Sequence, residues 1–136
     1  MKRCAKNLAF FFVFCWGAYA ATEPSAVGVW KGSQHGLPVV TITIEQWNGK
    51  LSGAILFYLI HREPNGTQSA SVGAPEPLLD VSEVGTTVAF KVSHRNAHPP
   101  RTLNDPPVHF NLELRGPKKG ILTGAESPAL ELTKDY

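Results

Sequence analysis

The sequence has 136 residues, with 13 basic and 11 acidic side chains, and its two cysteines are Cys4 and Cys15. This length suits one domain with one hydrophobic core rather than several domains. The excess of basic residues comes from the first six positions, so the formal charge of +2 does not indicate a nucleic-acid partner.

Residues 1–20 have the three parts of a secretory signal peptide. A short basic region precedes an apolar run over 8–16, and Ala18-Tyr19-Ala20 fits the small-x-small cleavage pattern. The apolar run is short for a membrane span, although an uncleaved N-terminal anchor is the alternative. Cleavage near Ala20 removes both cysteines and three basic residues, which leaves ten basic against eleven acidic side chains. The sequence therefore predicts a secreted or periplasmic protein with no disulfide and no thiolate metal ligand.

Eight segments of the remaining chain alternate apolar and polar residues, as is typical of β-strands, and no segment has a helical period. Residues 21–26 are predicted to be a disordered lead-in, and 27–136 a single β-barrel domain. Prolines and small residues predict long loops over 62–77 and 95–107. The predicted strands cover residues 27–32, 38–47, 51–61, 78–84, 86–94, 108–114, 121–125 and 129–133.

Asn48-Gly49 is the strongest turn signal in the chain, because both central residues of a type I′ hairpin turn need positive φ. A two-residue turn here fixes the register of the flanking strands, pairing Trp47 with Lys50 and Val40 with Phe57. One face of the third strand is then core-facing, while the other is also half apolar. A homo-oligomer through strand 51–61 is one explanation of the second face, and scattered exposed apolar residues are the other.

Short strands joined in sequence by tight turns predict an all-β fold. An up-and-down antiparallel eight-stranded barrel or a curled meander fits this pattern. A β-sandwich has similar strand signals and is the alternative.

Gly28-Val29-Trp30 on the first strand resembles the Gly-x-Trp motif of the calycins, the lipocalin and avidin barrels. The resemblance implies that Trp30 closes one end of a barrel and that Lys134 packs over its ring by a cation–π contact. The chain also resembles uncharacterised secreted bacterial β-domains that have a Gly-x-Trp start and a histidine-rich, proline-rich loop. That second likeness implies no function.

The segments 88–91 and 95–98 resemble the strand and loop that carry biotin contacts in bacterial avidins. The positions that bind biotin in that family fall here on Gly32, Gly36, Pro99 and Arg101. Because the family's polar contact and its hydroxyl fall on glycines, and only Phe90 of the tryptophan walls remains aromatic, the chain is predicted not to bind biotin.

Loops of an antiparallel meander alternate between its two ends, so the loops 33–37, 62–77, 95–107 and 127–128 are predicted to share one end. This prediction requires an even number of strand crossings between residues 61 and 94. An extra strand within 67–77 would break it. The candidate ligand-binding residues at this rim and in the interior beneath it are Phe57, His61, Arg62, Phe90, His94, Arg95, His98 and Arg101.

An apolar interior below a cationic rim predicts a binding site for a small anionic or apolar ligand. The alternative is a structural or interaction domain whose interior is filled by its own side chains. His94 and His98 are weak candidates for a metal site, and neither a metal nor another cofactor is predicted.

Ser93, His94 and Asp105 have the residue types of a hydrolytic triad. Adjacent strand residues point to opposite faces, however, and no nucleophile elbow, phosphate loop or carboxylate pair is present. The sequence therefore favours a non-catalytic binding protein over an enzyme.

Overall fold

The computed structural model describes residues 24–93, 105–124 and 127–135. These ranges are all β, which confirms the predicted fold class, and they contain no helix long and apolar enough to cross a membrane. Each of the eight predicted strands is present with its ends shifted by at most two residues. The strands are β1 (Gly28–Gln34), β2 (Leu37–Trp47), β3 (Lys50–Arg62), β4 (Gln68–Pro77), β5 (Leu79–Val84), β6 (Thr87–Val92), β7 (Val108–Leu114), β8 (Lys119–Gly124) and β9 (Ser127–Lys134).

All nine strands belong to one curled sheet that forms a half-barrel, with the order β4-β3-β2-β1-β9-β8-β7-β6-β5. Every neighbouring pair is antiparallel, so the two edge strands, β4 and β5, run in the same direction. Only Leu78 separates them, and its N–H donates to the Gly53 carbonyl of β3 at 3.0 Å. The segment 68–84 thus crosses from one edge of the sheet to the other, and its two parts pair with β3 and with β6.

The prediction of a loop over 62–77 is wrong for residues 68–77, which form β4. The strand was missed because its small residues and prolines do not alternate. An edge strand bonds on one side only, and it therefore tolerates Pro75 and Pro77. A register shift opposite Phe57 bends the strand, and a Cβ atom at Gly73 would overlap the Phe57 carbonyl oxygen.

The predicted hairpin between β2 and β3 is confirmed. Asn48 and Gly49 have φ values of 49° and 75°, as a type I′ turn requires. The register is the predicted one from Trp47–Lys50 to Val40–Phe57. This register puts the buried residues of β2 and β3 on one concave face, which the core occupies.

The core lies on the concave face and joins the two halves of the sheet. Its five largest fully buried side chains are Trp30, Phe90, Ile42, Ile44 and Ile55. Burying a side chain of this size contributes roughly 1.5–3 kcal/mol. Since no cysteine lies in the described ranges, this apolar burial is the main source of stability there.

Candidate ligand-binding site

The strand directions separate the half-barrel into two ends. The turns 35–36 and 63–67, together with the first residues of β7 and β9, lie at one end, called here the mouth. The turns 48–49 and 85–86 lie at the other, called here the closed end. The additional strand β4 leaves this division intact because β4 and β5 run in the same direction.

Trp30 fills the closed end. Its side chain is fully buried, and its indole N–H donates to the Ala26 carbonyl at 2.7 Å. The Lys134 ammonium lies 5.5 Å from the centre of the ring and donates to the Ser25 carbonyl at 2.8 Å. The contact between Lys134 and Trp30 is the one that the calycin resemblance implied. Ser25 and Ala26 fall in the predicted lead-in, so the packed region begins before Val27.

The interior beside Trp30 has no spare room. Gly120 of β8 is buried, and a Cβ atom there would lie 2.8 Å from the Leu112 Cδ1 atom and 3.2 Å from the Trp30 ring. An ion pair between Lys31 and Asp135 and a hydrogen bond from the Asp135 N–H to the Val29 carbonyl tie the last residues to β1. This end is therefore closed by packing.

The mouth contains a pocket of about 260 Å³ between the two halves of the sheet. Among the lining residues that the structure describes, none carries a charge, and most are apolar. Gln34 and Ser127 are polar lining residues, and both are exposed. The apolar walls include Val39 and Phe57 on one side and Phe110, Leu122 and Leu130 on the other.

Three phenylalanines make a continuous series of ring contacts in the interior. Phe110 stacks on Phe90, with ring centres 5.7 Å apart and an interplanar angle of 15°. Phe57 lies 6.0 Å from Phe110 and is tilted by 40°. Phe90 is buried, whereas Phe57 is 37% exposed, so the series runs from the core to the pocket. Such tilted and stacked pairs are favourable arrangements of aromatic rings.

Gly124 sets the position of the Phe110 ring. The two residues are directly opposed in the β7–β8 ladder, and a Cβ atom at 124 would overlap that ring. It would also lie 2.8 Å from the His109 carbonyl oxygen. Because glycine has no Cβ, the Phe110 ring lies against the β8 backbone, and the pocket keeps its width.

Four of the eight predicted site residues lie in the described part of the chain. Phe57 and Phe90 both lie on the concave face, and strand alternation places His61 on the same face nearer the mouth. The His61 Nε2 atom and the Ser71 hydroxyl are hydrogen-bonded at 2.7 Å. Arg62 is exposed, and alternation places it on the opposite face of β3. The other predicted rim residues lie outside the described residues, and they are His94, Arg95, His98 and Arg101.

Ser93 bonds to a carboxylate that the sequence did not single out. Its hydroxyl donates to the Glu76 Oε2 atom at 3.1 Å, and Glu76 is only 6% exposed. Glu76 was missed because β4 was not predicted. Gln34 was also missed, although it continues the alternation of Trp30 and Gly32.

Within the described ranges, no group of three histidine, aspartate or glutamate side chains could hold a metal ion.

A charged pair lies away from the pocket, on the outer face of β5 and β6. The Lys91 ammonium donates to the Asp80 carboxylate at 2.7 Å. This hydrogen bond, and then the charge of Lys91, holds the pKa of Asp80 below its ordinary value, with a smaller contribution from the charge of His109. Asp80 has a positive φ of 49°, a conformation that aspartate tolerates better than most residues.

The outer face of β3 and β4 exposes apolar side chains, and Tyr58, Ile60 and Val72 are called here the outer patch. Tyr58 is paired with Val72 across the two strands. Ile60 is 42% exposed and Val72 is 66% exposed. The Tyr58 hydroxyl lies 3.4 Å from the Thr41 hydroxyl, which orients its ring along the sheet.

Comparison with known proteins gives no matching family model, no matching curated protein and no matching solved structure. The geometry of the two ends and of the outer patch is therefore the basis for a functional proposal.

Proposed function

We propose that this chain is a secreted or periplasmic, calycin-type binding protein that holds a small molecule in the mouth pocket and catalyses no reaction. The observation that carries the proposal is the pocket of about 260 Å³ that Phe57 and Phe110 help to line, at the opposite end from the packed Trp30. Ligand sites are usually concave and mostly apolar, with a few polar groups, and this pocket has that composition.

The exposure of Phe57 supports this function. A large aromatic side chain is stabilising when it is buried, yet Phe57 remains 37% exposed on the concave face. Its ring is tilted against Phe110 and does not fill the space between the two halves of the sheet. A flat ligand in this space would cover Phe57 and add apolar contacts to both rings.

The arrangement at the closed end supports the calycin type. Trp30 follows Gly28 on the first strand, is fully buried, and carries the Lys134 ammonium over its ring. The β1 and β9 strands that bear these two residues are paired directly, with Trp30 opposite Lys134. These are the positions and contacts that the Gly-x-Trp resemblance implies.

Native mass spectrometry of the protein secreted from the full chain tests the binding function. We expect a small molecule to be retained by the wild type and by Trp47→Ala, and to be lost from Phe57→Ala. Trp47 is a matched control because it is an aromatic residue that is 77% exposed at the closed end. Failure of the wild type to retain any compound, both as purified and after exposure to a library of small molecules, would refute the proposal.

We also propose a second function, self-association through the outer patch. Ile60 and Val72 are exposed on the same face at diagonal positions of the ladder, and among the described residues β4 pairs only with β3, which leaves its outer backbone edge for a second copy. Light scattering after size exclusion should give a dimer mass for the wild type and for Val84→Lys, an exposed position on β5. Tyr58→Lys and Val72→Lys should give a monomer mass. A monomeric wild type would end this proposal.

A further inference from the structure

We infer that the closed end is a docking surface for an anionic phospholipid bilayer, in which Trp47 and Val84 enter the interface and neighbouring lysines contact lipid phosphates. The inference concerns the end opposite the mouth pocket, so its outcome is independent of the proposed binding function. The turns that form this surface all lie in the described ranges, and they are 48–49, 85–86 and 115–118.

Two hairpin tips at the closed end carry a large apolar side chain in solvent. Trp47 is 77% exposed and directly precedes the turn Asn48-Gly49, and Val84 is 79% exposed and directly precedes the turn Gly85-Thr86. Tryptophan is usually well buried in folded proteins, because its large ring gains much from leaving water. Alternation places Trp47 on the outer face of β2, away from the core that buries Ile44. A partner at the tips is what would bury these side chains.

Basic side chains exceed acidic ones at the same end. Lys31 and Arg115 form ion pairs there with Asp135 and Glu113. Near the turns and the chain end, the further charged side chains are Lys50, Lys118, Lys119 and Lys134 together with Glu45 and Glu83. Lysines are thus in excess, and this charge complements the phosphates of an anionic bilayer. Each lysine held near such a surface raises the affinity about fivefold.

The distribution of these groups suits a planar partner. Trp47, Val84 and Lys118 belong to three separate hairpins, β2–β3, β5–β6 and β7–β8, which are spread along one end of the curled sheet. The interior of this end is filled by Trp30, so the exposed groups surround a solid centre rather than line a groove. A bilayer surface can contact several tips at once, which a small molecule cannot.

Trp47 and Lys50 form the central unit of the proposed contact. They are directly paired across the Asn48-Gly49 turn, so both side chains lie on the same outer face. Tryptophan rings are typical of the headgroup region of a bilayer, where one part of the ring is in an apolar and the other in a wet environment. The flexible stem of a neighbouring lysine lets its ammonium reach a lipid phosphate at the same depth.

Co-sedimentation with unilamellar vesicles tests the docking surface, with the protein secreted from the full chain. The vesicles contain phosphatidylcholine alone or an equimolar mixture of phosphatidylcholine and phosphatidylglycerol. We expect the wild type to bind the anionic vesicles at least about tenfold more tightly than the neutral ones, and added salt to remove most of this difference. Equal binding to both compositions, or binding to neither, would overturn the inference.

Variants at the two ends locate the contact. Trp47→Ala should weaken binding to the anionic vesicles by about tenfold or more, whereas Phe57→Ala at the mouth should leave it unchanged. Lys118→Gln should weaken it about fivefold, while Arg62→Gln, which removes one charge at the mouth, should not. Circular dichroism verifies that each variant is folded. Equal effects within either pair of variants would overturn the inference.

Tryptophan fluorescence gives a second measurement of the same contact. Trp30 is fully buried and Trp47 is exposed, so a blue shift of the wild-type emission on addition of anionic vesicles reports the transfer of Trp47 out of water. The shift should be absent from Trp47→Ala and present in Val84→Ser, which keeps Trp47. An emission that does not move when the wild type sediments with the vesicles would contradict the insertion of Trp47.

Discussion

The closed end and the mouth are built from the same curled sheet, yet one is solid and the other contains a pocket. Strand β8 shows the difference within a few residues. Gly120 makes room for the Trp30 ring at the closed end, and Gly124 makes room for the Phe110 ring at the mouth. At the closed end Ala26 and Lys134 then cover the ring, whereas at the mouth the Phe110 ring borders the pocket. Whether an end of this sheet is solid or contains a pocket thus depends on which residues cover the aromatic ring at that end.

The largest effect should come from removing the ring that fills the closed end. Trp30→Ala should lower the free energy of unfolding by about 3–5 kcal/mol, because it leaves a large cavity among buried side chains. Urea denaturation followed by circular dichroism measures this loss. Trp47→Ala is the control, and since Trp47 is 77% exposed its effect should stay within about 0.5 kcal/mol. Similar losses for the two variants would contradict the role of Trp30.

At the mouth, Gly124→Ala should affect both stability and the pocket. The new methyl group overlaps the Phe110 ring and approaches the His109 carbonyl oxygen, so we expect a loss of about 1–3 kcal/mol. The displaced ring should enter the pocket and weaken retention of the small molecule, which native mass spectrometry measures. The double variant Gly124→Ala/Phe110→Ala removes the overlap with the ring but keeps the approach to the His109 carbonyl oxygen, so its loss of stability should be smaller than the sum of the two single-variant losses. If the double variant is as unstable as the sum of the two single variants, steric overlap is not the cause.

Lys134→Met should have a smaller effect at the closed end. The substitution removes the ammonium over Trp30 and its hydrogen bond to the Ser25 carbonyl, and the methionine retains most of the apolar stem. We expect a loss of about 1 kcal/mol, measured by urea denaturation. Lys118→Met at the same end removes an exposed charge and should have little effect. If both variants lose the same unfolding free energy, the cause is the change in net charge rather than the contact between Lys134 and Trp30.

The smallest effect should be at Asp80, outside both ends. Lys91→Met removes the hydrogen bond and the charge that lower the Asp80 pKa, so this pKa should return toward its ordinary value. In the wild type, the contact with Lys91 stabilises the fold at pH values above the unfolded-state pKa of Asp80. This stabilisation is lost as the pH falls through the lowered folded-state pKa of Asp80. NMR titration of the Asp80 carboxyl carbon measures the shift, with Lys118→Met as the control. An unchanged Asp80 pKa in Lys91→Met would contradict the assignment.

Most of the strands and one hairpin register could be predicted from the sequence because their signals are local. Alternation over 38–47 and the positive φ requirement of Asn48-Gly49 determine which residues of β2 and β3 face the core. Gly28-Val29-Trp30 drew attention to Trp30, which is fully buried, and the contact of Trp30 with Lys134 follows from the direct pairing of β1 and β9.

Tertiary structure alone decided the remaining features, because they depend on residues that are distant in the sequence. Strand β4 has no alternation of its own, and it forms because β3 offers a backbone edge and Gly73 allows the bend opposite Phe57. Leu78 then joins the two edges of the sheet, which no local pattern indicates. Phe57 and Phe110 could be assigned to the interior from alternation. The pocket that both rings line could not, since a pocket depends on how side chains from several strands fail to fill it.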